Sequence, residues 1–286
     1  MSALLILAST LTGLAEGIFI KRYRSKHNGG GFLFTAMICF FSMMVFVLTD
    51  RDGFVFPPMM WAYAIAAGVL YCSASFLTYI ALGCGSFAMS MLILSYSLIF
   101  SIGYGLFVLH ETATVWLWCG LALMMVSLYL TRASKVEGQE ERGVSVKWIV
   151  CIGLSVVGSG MFSVVQRMQQ IRFEDSCTNE FMIVALGFST LTLLAIGLIK
   201  DRKDLGLVLR HGLIWTALAG GSNGATNAMS MVLYTMVPLS VLAPVRAGAK
   251  IVVSFIVSVL LFKEKFEKRQ IVGVILGAAA LVLLNM

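Results

Sequence analysis

Apolar residues along this chain come in long, nearly unbroken runs separated by short polar clusters, without the alternation of a half-buried strand. Ten stretches approach the length of about 20 mainly apolar residues that carries a helix across a bilayer. They are residues 2–20, 32–49, 60–82, 86–108, 113–131, 147–166, 181–199, 212–236, 239–262 and 269–285. A closed barrel, the other spanning architecture, would instead show alternating strands of about ten residues. The pattern predicts an all-α integral membrane protein with ten transmembrane helices.

Composition agrees. Apolar AVILMFWYC residues make up 59% of the 286 and charged residues 12%, against roughly 25% charged in soluble domains. A mean hydropathy of +0.92 excludes both a water-soluble globule and a disordered chain. In a soluble protein the net charge of +7 would point to nucleic acid. Here the placement of the charges says otherwise. Sixteen of the 21 basic residues follow spans one, five, seven and nine: Lys21, Arg22, Arg24, Lys26; Arg132, Lys135, Arg142, Lys147; Lys200, Arg202, Lys203, Arg210; and Lys263, Lys265, Lys268, Arg269. Arg51, Arg167 and Arg172 fall on the opposite face. The positive-inside rule puts the sixteen in the cytoplasm and both termini outside, as expected for a multi-pass protein of a bacterial plasma membrane that binds no nucleic acid.

The first run reads as a retained helix, because its basic residues follow it and no A-x-A cleavage site appears. Trp61, Trp116, Trp118, Trp148 and Trp215 sit near span ends, where an aromatic belt is expected. Six scattered cysteines without a CxxC pair read as small buried hydrophobes. His27, His110 and His211 have no partners at ligand spacing, so neither a metal nor a cofactor is expected.

The chain repeats itself. Glu264 lies 153 residues after Glu111, and a glycine follows each by nine, Gly120 and Gly273. The same offset pairs Ala64, Ala66 and Gly68 with Ala217, Ala219 and Gly221, Ser101 with Ser254, and Leu123 with Leu276. A shorter offset pairs Glu16-Gly17-Ile18-Phe19 with Ser159-Gly160-Met161-Phe162. Five helices per unit reverse the second unit, which predicts two inverted five-helix repeats, 1–131 and 147–286, joined by a charged cytoplasmic linker at 132–146.

On Glu111 with Gly120, Glu264 with Gly273, the short loops GCGS and VPLS and the helix count, nearly the whole chain resembles the drug/metabolite transporter superfamily. The match is to its EamA-like members, which have ten helices in two five-helix repeats. That resemblance implies the fold and transport, and says little about substrate. Leu14-Ala15-Glu16 with Lys21 is similar to the first helix of the small multidrug resistance transporters, whose glutamate exchanges protons for substrate. The resembling nucleotide-sugar and triose-phosphate carriers bring basic residues of the ninth helix to a phosphate.

Charge inside hydrocarbon costs roughly 2.5 to 3.5 kcal/mol per residue, so it is usually functional. Three such residues stand out: Glu16, Arg246 and Lys250. Arg246 and Lys250 are four apart on one helix face, with Lys250 about 18 Å from either end of its span. They are candidates for holding a carboxylate or phosphate, and Glu16 for carrying the proton. Asn223, Asn227, Ser230 and Tyr234 form a polar stripe on span eight; Ser155, Ser159 and Ser163 form another on span six. Tyr71, Tyr79, Tyr96 and Tyr104 are candidates for the opposite wall. The GxxxG pairs Gly13/Gly17 and Gly273/Gly277 permit close helix approach, the second within a monomer or at a homodimer face.

No GxxxxGK[ST] loop occurs, so ATP does not drive the chain directly. An intramembrane enzyme would need a nucleophile with a base or clustered histidines and carboxylates, and a channel fits poorly with an inverted repeat. The expectation is a secondary active transporter of a small polar metabolite, anionic or zwitterionic, working by alternating access and coupled to protons. A proton-coupled exporter of organic cations or drugs, and a non-transporting scaffold or sensor, are the alternatives.

Overall fold

The computed structural model describes residues 2–27, 29–50, 56–84, 87–111, 115–131, 146–174, 176–262 and 268–284. Its helices in chain order are α1 (Ser2–Arg24), α2 (Gly31–Thr49), α3 (Met60–Cys84), α4 (Phe87–Ser95), α5 (Leu98–Gly103), α6 (Val115–Thr131), α7 (Val146–Arg172), α8 (Thr178–Lys200), the single turn α9 (Leu205–Leu207), α10 (Leu213–Met236), α11 (Leu239–Phe262) and α12 (Lys268–Leu284). Among the described residues every regular element is a helix. Six are long and apolar enough to cross a membrane, within α1, α2, α3, α7, α8 and α11, and the chain is a multi-pass membrane protein. Arg51, Arg132, Lys135, Arg142 and Glu264 lie outside the described residues.

Two of the expected spans take a different form. Span four is interrupted at Tyr96–Ser97, where Tyr96 and Ser97 donate to the carbonyls of Ile93 and Leu94, three residues back, in place of the usual four. A π-helical turn, Tyr104–Val108, then follows α5. Span six runs on to Arg172, so Arg167 is a helical residue and belongs to no loop.

Helix packing has a regular plan. α2 lies against α8 and α6 against α12; α1 packs on α10 and α3 on α7; α2 also packs on α10 and α3 on α8. Missing side chains permit two of these contacts. A Cβ on Gly220 would come within 2.6 Å of the Ile38 carbonyl, and one on Gly68 within 2.9 Å of the Ala185 carbonyl. Without apolar solvent exclusion to drive association, such close backbone approach supplies the dispersion energy that joins helices in lipid.

Two apolar cores close the ends. One gathers Phe46, Met60, Phe181, Leu233 and Leu239 at the end away from the basic loops. The other gathers Tyr23, Phe34, Tyr79, Phe87 and Trp148 at the basic end. There the carboxylates of Asp204 and Asp201, between α8 and α9, accept the N–H groups of Gly30 and Phe32 at 2.9 and 2.8 Å, capping the start of α2. His27 and His211 stack across the same junction with ring centroids 5.5 Å apart.

The tryptophans divide. Trp61, Trp116 and Trp118 are exposed at helix starts, as a belt requires, whereas Trp148 is buried and donates to Ser90 Oγ at 3.3 Å, and Trp215 packs beside Phe19. The cysteines divide too. All six are free thiols; Cys39 and Cys151 are buried, but Cys84 and Cys119 are exposed, so burial does not describe the whole set.

Candidate substrate cavity

Between the two cores lies a cavity of about 230 Å³ whose wall includes Glu16, Arg246 and Lys250. Two helices supply its charged groups. Glu16 stands on α1, and Arg246 and Lys250 follow one another by a turn on α11, as their spacing requires. Pro244 lies inside the continuous helix α11 just before Arg246; it lacks the N–H that would bond the Ser240 carbonyl, a loss tolerated where helices line a cavity. The Lys250 ammonium interacts with both the Glu16 carboxylate and the Arg246 guanidinium, so two cations and one anion share the space.

Behind Glu16 the polar stripe of α10 serves as a support. Asn223 Nδ2 donates to Glu16 Oε2 at 2.9 Å, while Asn223 Oδ1 accepts from Ser42 Oγ, Tyr71 OH and Asn227 Nδ2 at 2.8, 2.6 and 2.8 Å. These buried groups satisfy one another, the condition under which a polar cluster in an apolar interior is stable. Of the four stripe residues only Tyr234 lines the cavity; Asn223, Asn227 and Ser230 lie behind the wall, and Ser230 Oγ donates to the Thr226 carbonyl at 2.5 Å. Thr226, between them, does line it and meets Thr12 Oγ1 at 2.7 Å.

The other expected wall residues are displaced. Ser159 contributes its carbonyl to Ser163 Oγ at 3.2 Å, and Ser163 reaches the cavity in its place. Tyr79 is buried at the basic end, with the Arg24 guanidinium 4.6 Å from its ring centroid. Tyr96 packs against the Leu98–Met124 cluster, Tyr104 against the first core, and Tyr71 reaches Glu16 only through Asn223. The wall facing the charges is made by Ser95, Ser97 and Ser101, which the break in span four turns inward. Serines in an apolar run were the available signal, as was the four-residue step from Ser97 to Ser101.

Two further residues acquire roles. The carboxylate of Glu111 accepts the N–H groups of Leu239 and Ser240 at 3.1 and 2.9 Å and so caps α11, the helix of both cations. Gly105 leaves room for it, since a Cβ there would be 2.6 Å from Glu111 Oε2. Arg167 donates from Nη1 to the Tyr234 carbonyl at 2.6 Å and ties α7 to α10. Gly13 and Gly17 pack inside the molecule, against Thr226 and against Met91 and Phe87, and the Gly273 carbonyl accepts from Ser127 Oγ at 2.6 Å. Among the described residues no three potential ligands cluster to hold a metal.

Residues 146–286 match the model of the EamA-like transporter family. Through this half the chain belongs to that family, part of the drug/metabolite transporter superfamily. A solved crystal structure, titled only as that of a protein, superposes with a TM-score of 0.68 over 96% of this chain and 95% of the other, at 14% identity. That likeness extends the fold across the first half and, at such identity, carries the fold alone. No curated protein matches. For an EamA-like protein, a polar cavity between apolar ends is where a transported molecule would sit.

Proposed function

We propose that this protein is a secondary active transporter that moves a small anionic or zwitterionic metabolite by alternating access, with Glu16 as the proton-coupling group. The observation that carries this reading is that Glu16, Arg246 and Lys250 line one cavity, for a formal local charge of +1. Such a site favours a carboxylate or phosphate through charge-assisted hydrogen bonds and disfavours an organic cation by repulsion. Ten spans in two inverted halves, 1–131 and 147–286, with the basic loops in the cytoplasm and both termini outside, complete the proposal. The helix packing supports the symmetry: between the halves, α1 on α10 and α2 on α10 are matched by α7 on α3 and α8 on α3. Rocking of the halves would then expose the cavity to each side in turn.

The test is a thermal-shift screen of the purified protein against small carboxylates, phosphates, zwitterions and organic cations. A ligand at 100 times its Kd stabilises by about 2.7 kcal/mol. An anion or zwitterion should raise the Tm of the wild type and not of Lys250→Ala. Stabilisation by organic cations that survives Lys250→Ala would overturn the anion reading.

A further inference from the structure

We propose that Asn223 is a positioning residue that decides which oxygen of Glu16 takes up the proton: Oε2 stays an acceptor, and Oε1 is the atom protonated and released. The inference rests on the reading of Glu16 as the coupling group and adds the atom at which coupling occurs.

The polarity of the network follows from one fixed acceptor. Asn227 Nδ2 lies 3.2 Å from the main-chain carbonyl of Asn223 and 2.8 Å from its Oδ1. A main-chain carbonyl can only accept, so Asn227 presents N–H at this point, and the neighbouring end of the Asn223 side chain must be oxygen. Ser42 and Tyr71 donate to the same oxygen. With Oδ1 holding three donors, the other end of the amide is an N–H group aimed at Glu16 Oε2. Reversing the amide would set its N–H against that of Asn227 and its oxygen against the carboxylate.

In a protonated carboxyl the carbonyl oxygen accepts far better than the hydroxyl oxygen, so the Asn223 N–H on Oε2 favours the carbonyl there and the proton on Oε1. The ionisable groups that act on Glu16 are Lys250 from α11, with Arg246 behind it, Tyr71 from α3 and Cys39 from α2. α10 faces it with amides and hydroxyls, and α4 with Phe87 and Met91 beside Gly17. Of these, Lys250 lines the same cavity as Glu16. Proton and substrate anion are thereby brought to the same few ångströms of wall, where loading one alters the charge that the other meets.

Dicyclohexylcarbodiimide, which attacks protonated buried carboxyls, reads this without a known substrate. The full chain in lipid nanodiscs would be labelled across a pH series, and modification of Glu16 quantified by mass spectrometry. Asn223→Leu removes a donor to the charged form worth about 1.5–3 kcal/mol, so labelling should persist to a pH about one to two units higher than in the wild type. Asn227→Leu, which only frees the amide to turn, should shift it less. An unchanged profile in Asn223→Leu overturns the proposal. Should that variant not fold, the isotope-edited infrared spectrum of wild-type Glu16 decides: a protonated-carboxyl stretch lowered by an accepted hydrogen bond supports the assignment, and a free carbonyl stretch overturns it. A shifted labelling profile together with proton-driven uptake that survives Glu16→Gln would overturn the coupling reading while leaving the position of the proton standing.

Discussion

On one side of the cavity α1, α10 and α11 present Glu16, Thr226, Tyr234, Arg246 and Lys250; on the other α4, α5 and α7 present serines, Ser95, Ser97, Ser101 and Ser163. Ser97 precedes Lys250 by 153 residues, the spacing that also separates Glu111 from Glu264. What differs is the backing. Behind Glu16 stands a satisfied network of Asn223, Asn227, Ser42 and Tyr71. Behind Ser97 the backbone is crowded, and a Cβ on Gly160 would come within 2.8 Å of its carbonyl. Charge is kept on the side that can solvate it, because an ion in an apolar interior is tolerable only with partners. Hydroxyls stand where helices must approach closely.

The sharpest way to break this contrast is to remove one group from each side. Lys250→Ala should weaken binding of an anionic ligand found by screening by roughly 10- to 150-fold, the worth of a hydrogen bond to a charged group. Ser97→Ala should cost less than about tenfold. Equal losses by calorimetric titration would mean that the serine wall recognises the substrate as much as the cations do.

A smaller effect concerns how the charged side is held in place. Glu111→Ala uncaps α11 and should lower stability by about 1–2 kcal/mol, seen as a reduced Tm. Gly105→Ala crowds the same carboxylate, so the double variant should lose less than the sum of the two. Additive losses would separate the residues and remove the cap as their common cause.

The smallest effect sharpens the comparison by equality. Thr12 meets Thr226 at 2.7 Å on the charged side, and Ser155 meets Thr78 at 2.5 Å on the other. Thr226→Val and Thr78→Val should each cost about 0.6 kcal/mol in detergent unfolding, since both remove one interhelical hydrogen bond. A large difference would place substrate recognition at one of them.

Much of the fold and part of the site was legible beforehand. Glu16, Arg246 and Lys250 were marked by charge within apolar runs, and they share the cavity. The stripe of α10 was marked by its period, but period gives the common face and not its neighbour; the face of Asn223 and Asn227 turns to α1, α2 and α3, with Tyr234 alone at the wall. Tyr79 and Tyr96 failed as wall residues for the same reason, because large amphipathic rings serve packing equally well. The break at Tyr96–Ser97 has no glycine or proline to announce it. Arg167 was misplaced because a charge at the end of an apolar run reads as a loop, whereas the Tyr234 carbonyl holds it in a helix.

The sequence by itself determined that this is a helical membrane protein and which residues carry charge in its interior. Both follow from segment-level physics: in lipid each segment must satisfy its own backbone, so apolar runs become helices whatever their neighbours. Only the tertiary structure decided which polar residues meet. Glu16 and Asn223 are 207 residues apart and Glu111 and Leu239 are 128 apart, and their contact depends on the rotation and order of helices, set by packing between segments that no local pattern records.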